Sequence, residues 1–173
     1  MPRERVGLLH QQMGDAYELV RARVRGLTDD EFFWEPAPGC WTVHPGPDGR
    51  WTADYAEPDP DPPTTIAWRL VHLATCKVMD HEYAFGRGEL TWDTIDHPRT
   101  AGSAIEMLER GQRLLTADLD TLDDRGLDEA RLINWGEAWP TWRIFWTMIW
   151  HDAHHGGEIG ALRDLYRYRR RAG

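Results

Sequence analysis

Trp150-His151-Asp152-Ala153-His154-His155-Gly156-Gly157-Glu158-Ile159 is the stretch from which the rest of the chain is best read. On a helix, at about 100° per residue and with His151 as zero, His155 falls at about 40°, Ile144 and Leu162 at about 20°, Met148 at about 60° and Ile159 at about 80°. Both imidazoles therefore share the apolar face that a helix turns to its core. An H-x-x-x-H pair sets two imidazoles one turn apart, the spacing at which both reach a single metal ion. His154, at about −60°, stands beside that seam, and Glu158, at about −20°, lies on it. The helix is predicted to run from Thr141, with Pro140 as a first-turn residue, to Tyr168. Its basic tail, Arg169-Arg170-Arg171, suits the negative end of the helix dipole.

A second helix supplies a third inward histidine. It is predicted from about Thr64, just after Pro62-Pro63, to Phe85, stopping at Gly86. With His72 at zero, Trp68, Cys76, Met79 and Tyr83 all lie within about 40° of it, so His72 belongs to the seam, whereas His81 falls on the opposite side. An inward histidine alone reads as a core residue bonded to a carbonyl. Three of them on two helices favour a shared metal, because each buried imidazole without a partner costs about 1–3 kcal/mol.

The remaining pattern is helical too. Val6, Leu9, Met13, Ala16, Val20, Val24 and Leu27 form an amphipathic seam that ends near Gly26, and Thr28-Asp29-Asp30-Glu31 reads as a capping box opening a short turn. A further helix is predicted from the capping box Ser103-Ala104-Ile105-Glu106, with Leu108, Leu115, Leu119 and Leu122 on one side and Gln112 in the missing seam position. From Trp34 to Pro63, eight prolines with Gly and Asp exclude helix periodicity, and no alternating strand stands out anywhere. The expected fold is all-α: a single four-helix-bundle domain over residues 1–173 with a long Pro/Trp-rich connection able to cross over the bundle.

Composition narrows the function. The net charge of −9 leaves no cationic surplus for a phosphate backbone. No apolar stretch approaches the ~20 residues of a membrane span, and no secretory leader opens the chain, so a cytoplasmic protein is expected. Cys40 and Cys76 form no C-x-x-C pair and offer no disulfide framework. Lys77 is the only lysine among 20 basic residues, an arginine bias that fits a high-GC genome. Ten Trp is a heavy load. Those in the loops, Trp41, Trp51, Trp135 and Trp139, are expected to anchor them on the core, while Trp142, Trp146 and Trp150 form a stripe that either loops or a second copy, in a homodimer, must cover.

The stretch His151 to Ile159, together with Trp68-Arg69-Leu70-Val71-His72-Leu73-Ala74 on the preceding helix, resembles the DinB/YfiT-like superfamily through its H-x-x-H-H-x-G-[QE]-[IL] pattern. The resemblance spans nearly the whole chain. It departs from the commoner pattern in having Gly156 where Arg is usual and Glu158 where Gln is usual. What it implies is a four-helix bundle in which His72, His151 and His155 ligate a divalent ion, with zinc favoured over nickel or iron, and in which His154 is not a ligand. It further implies a thiol-dependent transferase or isomerase using a low-molecular-weight thiol, mycothiol in high-GC actinobacteria or bacillithiol elsewhere, on a small-molecule substrate. Three neutral imidazoles leave room on the ion for water or thiolate, so a hydrolase using bound hydroxide and a non-catalytic metal-binding bundle remain as alternatives. Glu158 and Tyr83 are the candidate catalytic residues, Glu158 as base or ligand-orienting group and Tyr83 as a hydrogen-bond donor to substrate. Cys76, one turn beyond His72, reads as a small core residue with a fourth ligand as the alternative, and Gln112 as a pocket-lining or simply exposed residue.

Overall fold

The computed structural model describes residues 2–55 and 62–172. Four long helices, α1 (Glu4–Val24), α3 (Ile66–Ala84), α4 (Ala101–Asp120) and α5 (Thr141–Ala172), make the expected all-α bundle. Between them lie the short helix α2 (Asp29–Phe32) and two hairpins of three-residue strands, β1 (Val43–Pro45) with β2 (Trp51–Ala53) and β3 (Ala130–Leu132) with β4 (Ala138–Pro140). Both hairpins are antiparallel, with Val43 opposite Ala53 and Ala130 opposite Pro140. They correct the strandless expectation; strands this short contain too few residues for a period of two to register.

The helices pack as a ring in which α1 neighbours α5 and α4, and α3 neighbours α4 and α5. Sequential α1 and α3 therefore sit on one diagonal and α4 and α5 on the other. The long connection does cross the bundle, and this is what places α3 beside α5. Residues 56–61 of that connection lie outside the described residues. The rest of it is held by Trp41, whose backbone pairs with Pro63 and Thr65 and whose ring packs 5.6 Å from that of Trp68. Trp51 packs on Phe33 at 5.9 Å. Trp135, in contrast, is 62% exposed, so the second long connection is not anchored by it.

The helix ends show how local chemistry moved the predicted boundaries. Gly26, at φ +67, ends α1 in the left-handed region that suits glycine. At α2 the Thr28 hydroxyl accepts from the Glu31 N–H, but the Glu31 carboxylate is turned away to Arg163, so the capping box is half formed. For α4 the start is three residues earlier than the sequence pattern suggests, with Thr100 as N-cap. Ser103 is the reciprocal partner there, accepting from the Thr100 N–H at 3.1 Å while Thr100 Oγ1 accepts from the Ser103 N–H at 3.1 Å. The Asp29 carboxylate takes a further orphan donor, the Ala101 N–H, at 2.8 Å.

The core runs the length of the bundle, from Val20, Phe32, Ile66, Leu70 and Leu73 at one end to Met13, Leu115, Leu119, Phe145 and Met148 at the other. Gly156 brings α5 against α1: a Cβ there would stand 3.1 Å from Val20 Cγ2. A side chain at this position, where arginine is common in the resembling pattern, would have to push Val20 aside by a few tenths of an ångström.

Candidate metal centre

His72 projects from α3, and His151 and His155 from α5, into the seam between these adjacent helices. The three rings stand at mutual centroid distances of 5.5 Å (His72 to His151), 5.2 Å (His72 to His155) and 5.3 Å (His151 to His155). Imidazoles grouped round one tetrahedral ion, with metal–nitrogen distances of about 2.0–2.1 Å, have ring centres about 5.2 Å apart. The ring centres therefore stand at the spacing expected round one ion, while the ligand atoms that lie within 4.8 Å of one another put His155 in a different group from His72 and His151. The Nδ1 atom of His151 is buried with no hydrogen-bond partner among the described residues, an arrangement a cation would relieve.

The surroundings orient the rings. The Glu158 carboxylate lies 2.7 Å from His155 Nδ1 and is itself held by Arg69 at 3.0 Å and approached by His154 Nε2 at 3.5 Å. His72 is stacked on Trp68, with ring centres 4.9 Å apart and planes 11° apart, and its Nδ1 is 3.3 Å from the Tyr55 hydroxyl. Trp68 is fixed in turn by donating from Nε1 to the Asp54 carbonyl at 2.7 Å. Outside the cluster Trp150 stacks on His154 at 5.0 Å and 6°. Burial pushes His72 and His155 down to about 3 and His151 to about 4, helped by the neighbouring imidazoles and Arg69 for the first two and by Lys77 for the third. All three are neutral at pH 7, the form in which imidazole ligates.

Atoms close enough to share an ion fall into two sets, His72 with Cys76 and His151, and His154 with His155 and Glu158. Cys76 Sγ is 3.8 Å from His72 Nε2 and 3.9 Å from Nδ1. Tyr83 is not brought to the cluster. It lies eleven residues along α3 from His72, about 16 Å of helix, beside Gly88. The tyrosine at the histidines is Tyr55, in the connection following β2, where sequence periodicity has nothing to say. His81 pairs with Asp118 at 2.7 Å, in keeping with its outward phase.

A buried network behind the histidines was not read from the sequence. Lys77 Nζ donates to Asp152 Oδ2 at 2.7 Å and to Gln112 Oε1 at 2.9 Å, joining α3, α5 and α4, and both members of the ion pair are fully buried. Gln112 is thus neither exposed nor pocket-lining. The pair sits next in sequence to Cys76 and His151. A narrow cavity of about 10 Å³, room for one water, borders His151, Cys76, Asp80 and Trp135. A larger cleft, about 810 Å³, lies elsewhere, against His97, Arg99, Glu106 and Arg110, and holds no comparable cluster of ligands among the described residues.

No curated protein matches the chain. A family model described as the DinB superfamily matches residues 47–159, more than half of the sequence and including all three inward histidines of the α3–α5 seam. With the bundle and its His-rich seam, that match shows that the chain belongs to the DinB superfamily.

Proposed function

We propose that the protein is a divalent-metal-dependent enzyme of the thiol-dependent transferase or isomerase kind, with His72, His151 and His155 holding the ion. The observation that carries this reading is the set of 5.2–5.5 Å separations among three neutral imidazoles on two neighbouring helices. When bound, the ion, zinc in preference to nickel or iron, supplies the Lewis acidity that keeps a low-molecular-weight thiol of the mycothiol type as its thiolate near neutral pH. The protein's own groups do the positioning. Glu158 accepts the Nδ1 proton of His155 and fixes its tautomer, and Arg69 holds Glu158 in place. Tyr55 does the same for His72, while Trp68 and Trp92, packed on Tyr55, give an electrophile an apolar flank that excludes water.

Such thiols belong to the cytoplasm, the compartment we assign. No helix among the described residues is long and apolar enough to cross a membrane. The same reading includes a homodimer. Trp142, Trp146 and Trp150 are 39%, 51% and 49% exposed, so the described loops leave the stripe open. It offers roughly 300–350 Å² of indole surface, just under half the ~800 Å² per partner of a stable interface.

The test is turnover. Zinc-loaded protein mixed with mycothiol, or another small thiol, and an electrophile should consume the thiol, and His155→Ala should abolish this. Hydrolysis of activated esters without thiol would replace the reading with a hydrolase. Neither activity across a broad substrate panel would leave a metal-binding bundle.

A further inference from the structure

Cys76 stands one turn beyond His72 on α3, 5% exposed, and among the described residues its Sγ makes hydrogen-bond contacts with the two ring nitrogens of His72. Across the seam, His151 brings its own nitrogen within 4.8 Å of both. A tetrahedral ion with about 2.0–2.1 Å to nitrogen and about 2.3 Å to sulfur sets those ligand atoms about 3.5–3.6 Å apart. The observed 3.8 Å to Nε2 exceeds that value by a few tenths of an ångström, and the near-equal 3.9 Å to Nδ1 sets the sulfur off the Nε2 lone-pair axis, so ligation requires a rotation of the Cys76 or His72 side chain. The partnerless Nδ1 of His151 and the water-sized cavity bordered by Cys76 and His151 independently mark this side of the cluster as built round something absent from the protein itself.

We propose that Cys76 is a resident ligand of the metal, giving a three-histidine, one-thiolate site that selects a thiophilic ion. On binding, a metal–sulfur bond forms and the thiol proton leaves to solvent. The inference rests on the metal-site reading above and changes its consequence. Sulfur in the ligand set favours zinc over harder ions such as manganese or magnesium. A co-substrate thiol then reaches the ion by exchange with Cys76 or at a fifth position.

The experiment is cobalt substitution of the full chain without added thiol. Wild-type protein should show sulfur-to-cobalt charge-transfer absorption in the near ultraviolet. Cys76→Ser should lose that band while still binding cobalt, with an affinity lowered by more than the about 10–100-fold cost of an outer-sphere change. Cobalt bound without the band, or a band that survives Cys76→Ser, overturns the proposal while leaving the three-histidine site standing. Failure of wild type to bind cobalt or zinc in equilibrium dialysis overturns both. Should the variant not fold, zinc-edge X-ray absorption of the wild-type protein decides the matter. A sulfur scatterer at about 2.3 Å is expected, and a shell of nitrogen and oxygen alone would refute it.

Discussion

Lys77 and Asp152 are both without solvent exposure, and the attraction between them, with the Lys77 hydrogen bond to Gln112, offsets the cost of taking two charges out of water. Removing one partner is therefore worse than removing both. Lys77→Met should destabilise the protein by about 3–5 kcal/mol, and adding Asp152→Leu should restore much of that loss. Chemical denaturation checks both, and a neutral single variant would contradict the burial of the pair. Histidine chemistry sets a second expectation. With folded-state values near 3 to 4, against about 6.5 when unfolded, the imidazoles of His72, His151 and His155 stay neutral well below pH 6.5. In the metal-free protein the unfolded state binds more protons through that window, so stability is full above about 6.5 and falls as pH drops toward 4. Metal loading, followed by equilibrium dialysis, should persist to about pH 5 and collapse near 4; loss at 6.5 would mean exposed imidazoles. The three histidines were legible because their phases coincide on regular helices. Lys77 and Asp152 were not, since they lie about 140° and 100° off the seams of His72 and His151, where a charge ordinarily signals solvent. Only the fitting of three helices turns those edges inward.

Gly111 shows the same limit at the level of elements. On α4 it sits beside Gln112, and a Cβ at this position would stand 2.7 Å from Lys77 Cβ. Alanine ordinarily improves a helix by about 1 kcal/mol over glycine. Here the overlap with the root of a buried side chain, about 1–3 kcal/mol for overpacking, should outweigh it and lower the melting temperature by a few degrees. A rise on Gly111→Ala would show that α3 and α4 can part freely. Several helix ends were legible from periodicity, glycine and proline: α1 ends at Val24 before Gly26, and α5 begins at Thr141 after Pro140 but runs to Ala172, four residues beyond the expected Tyr168. The start of α4 was misplaced because serine at the third position does the work usually sought from glutamate. The turns of the two hairpins use Gly49 and Gly136 at φ +81 and +78, but strands of three residues carry no pattern of their own.

At the scale of the molecule, the diagonal placement of α1 against α3 and of α4 against α5 creates the α3–α5 seam on which the histidines meet. Sequence could say that the first connection was long enough to cross, not that it did; adjacency is decided by how four apolar faces share one core. The uncovered Trp142, Trp146 and Trp150 lead to the expectation of a two-fold pair through α5, since a stripe on one helix is self-complementary across such an axis. Trp146→Glu should convert a dimer to a monomer in analytical ultracentrifugation, and a wild-type monomer would remove the proposal. The central claim is that the rings of His72, His151 and His155 share one ion. Metal content of the purified chain and of single alanine variants measures it directly. The account predicts about one divalent ion per chain, lost with His72→Ala, His151→Ala or His155→Ala and retained with His81→Ala. Retention in any of the first three, or equal loss with His81→Ala, would contradict it.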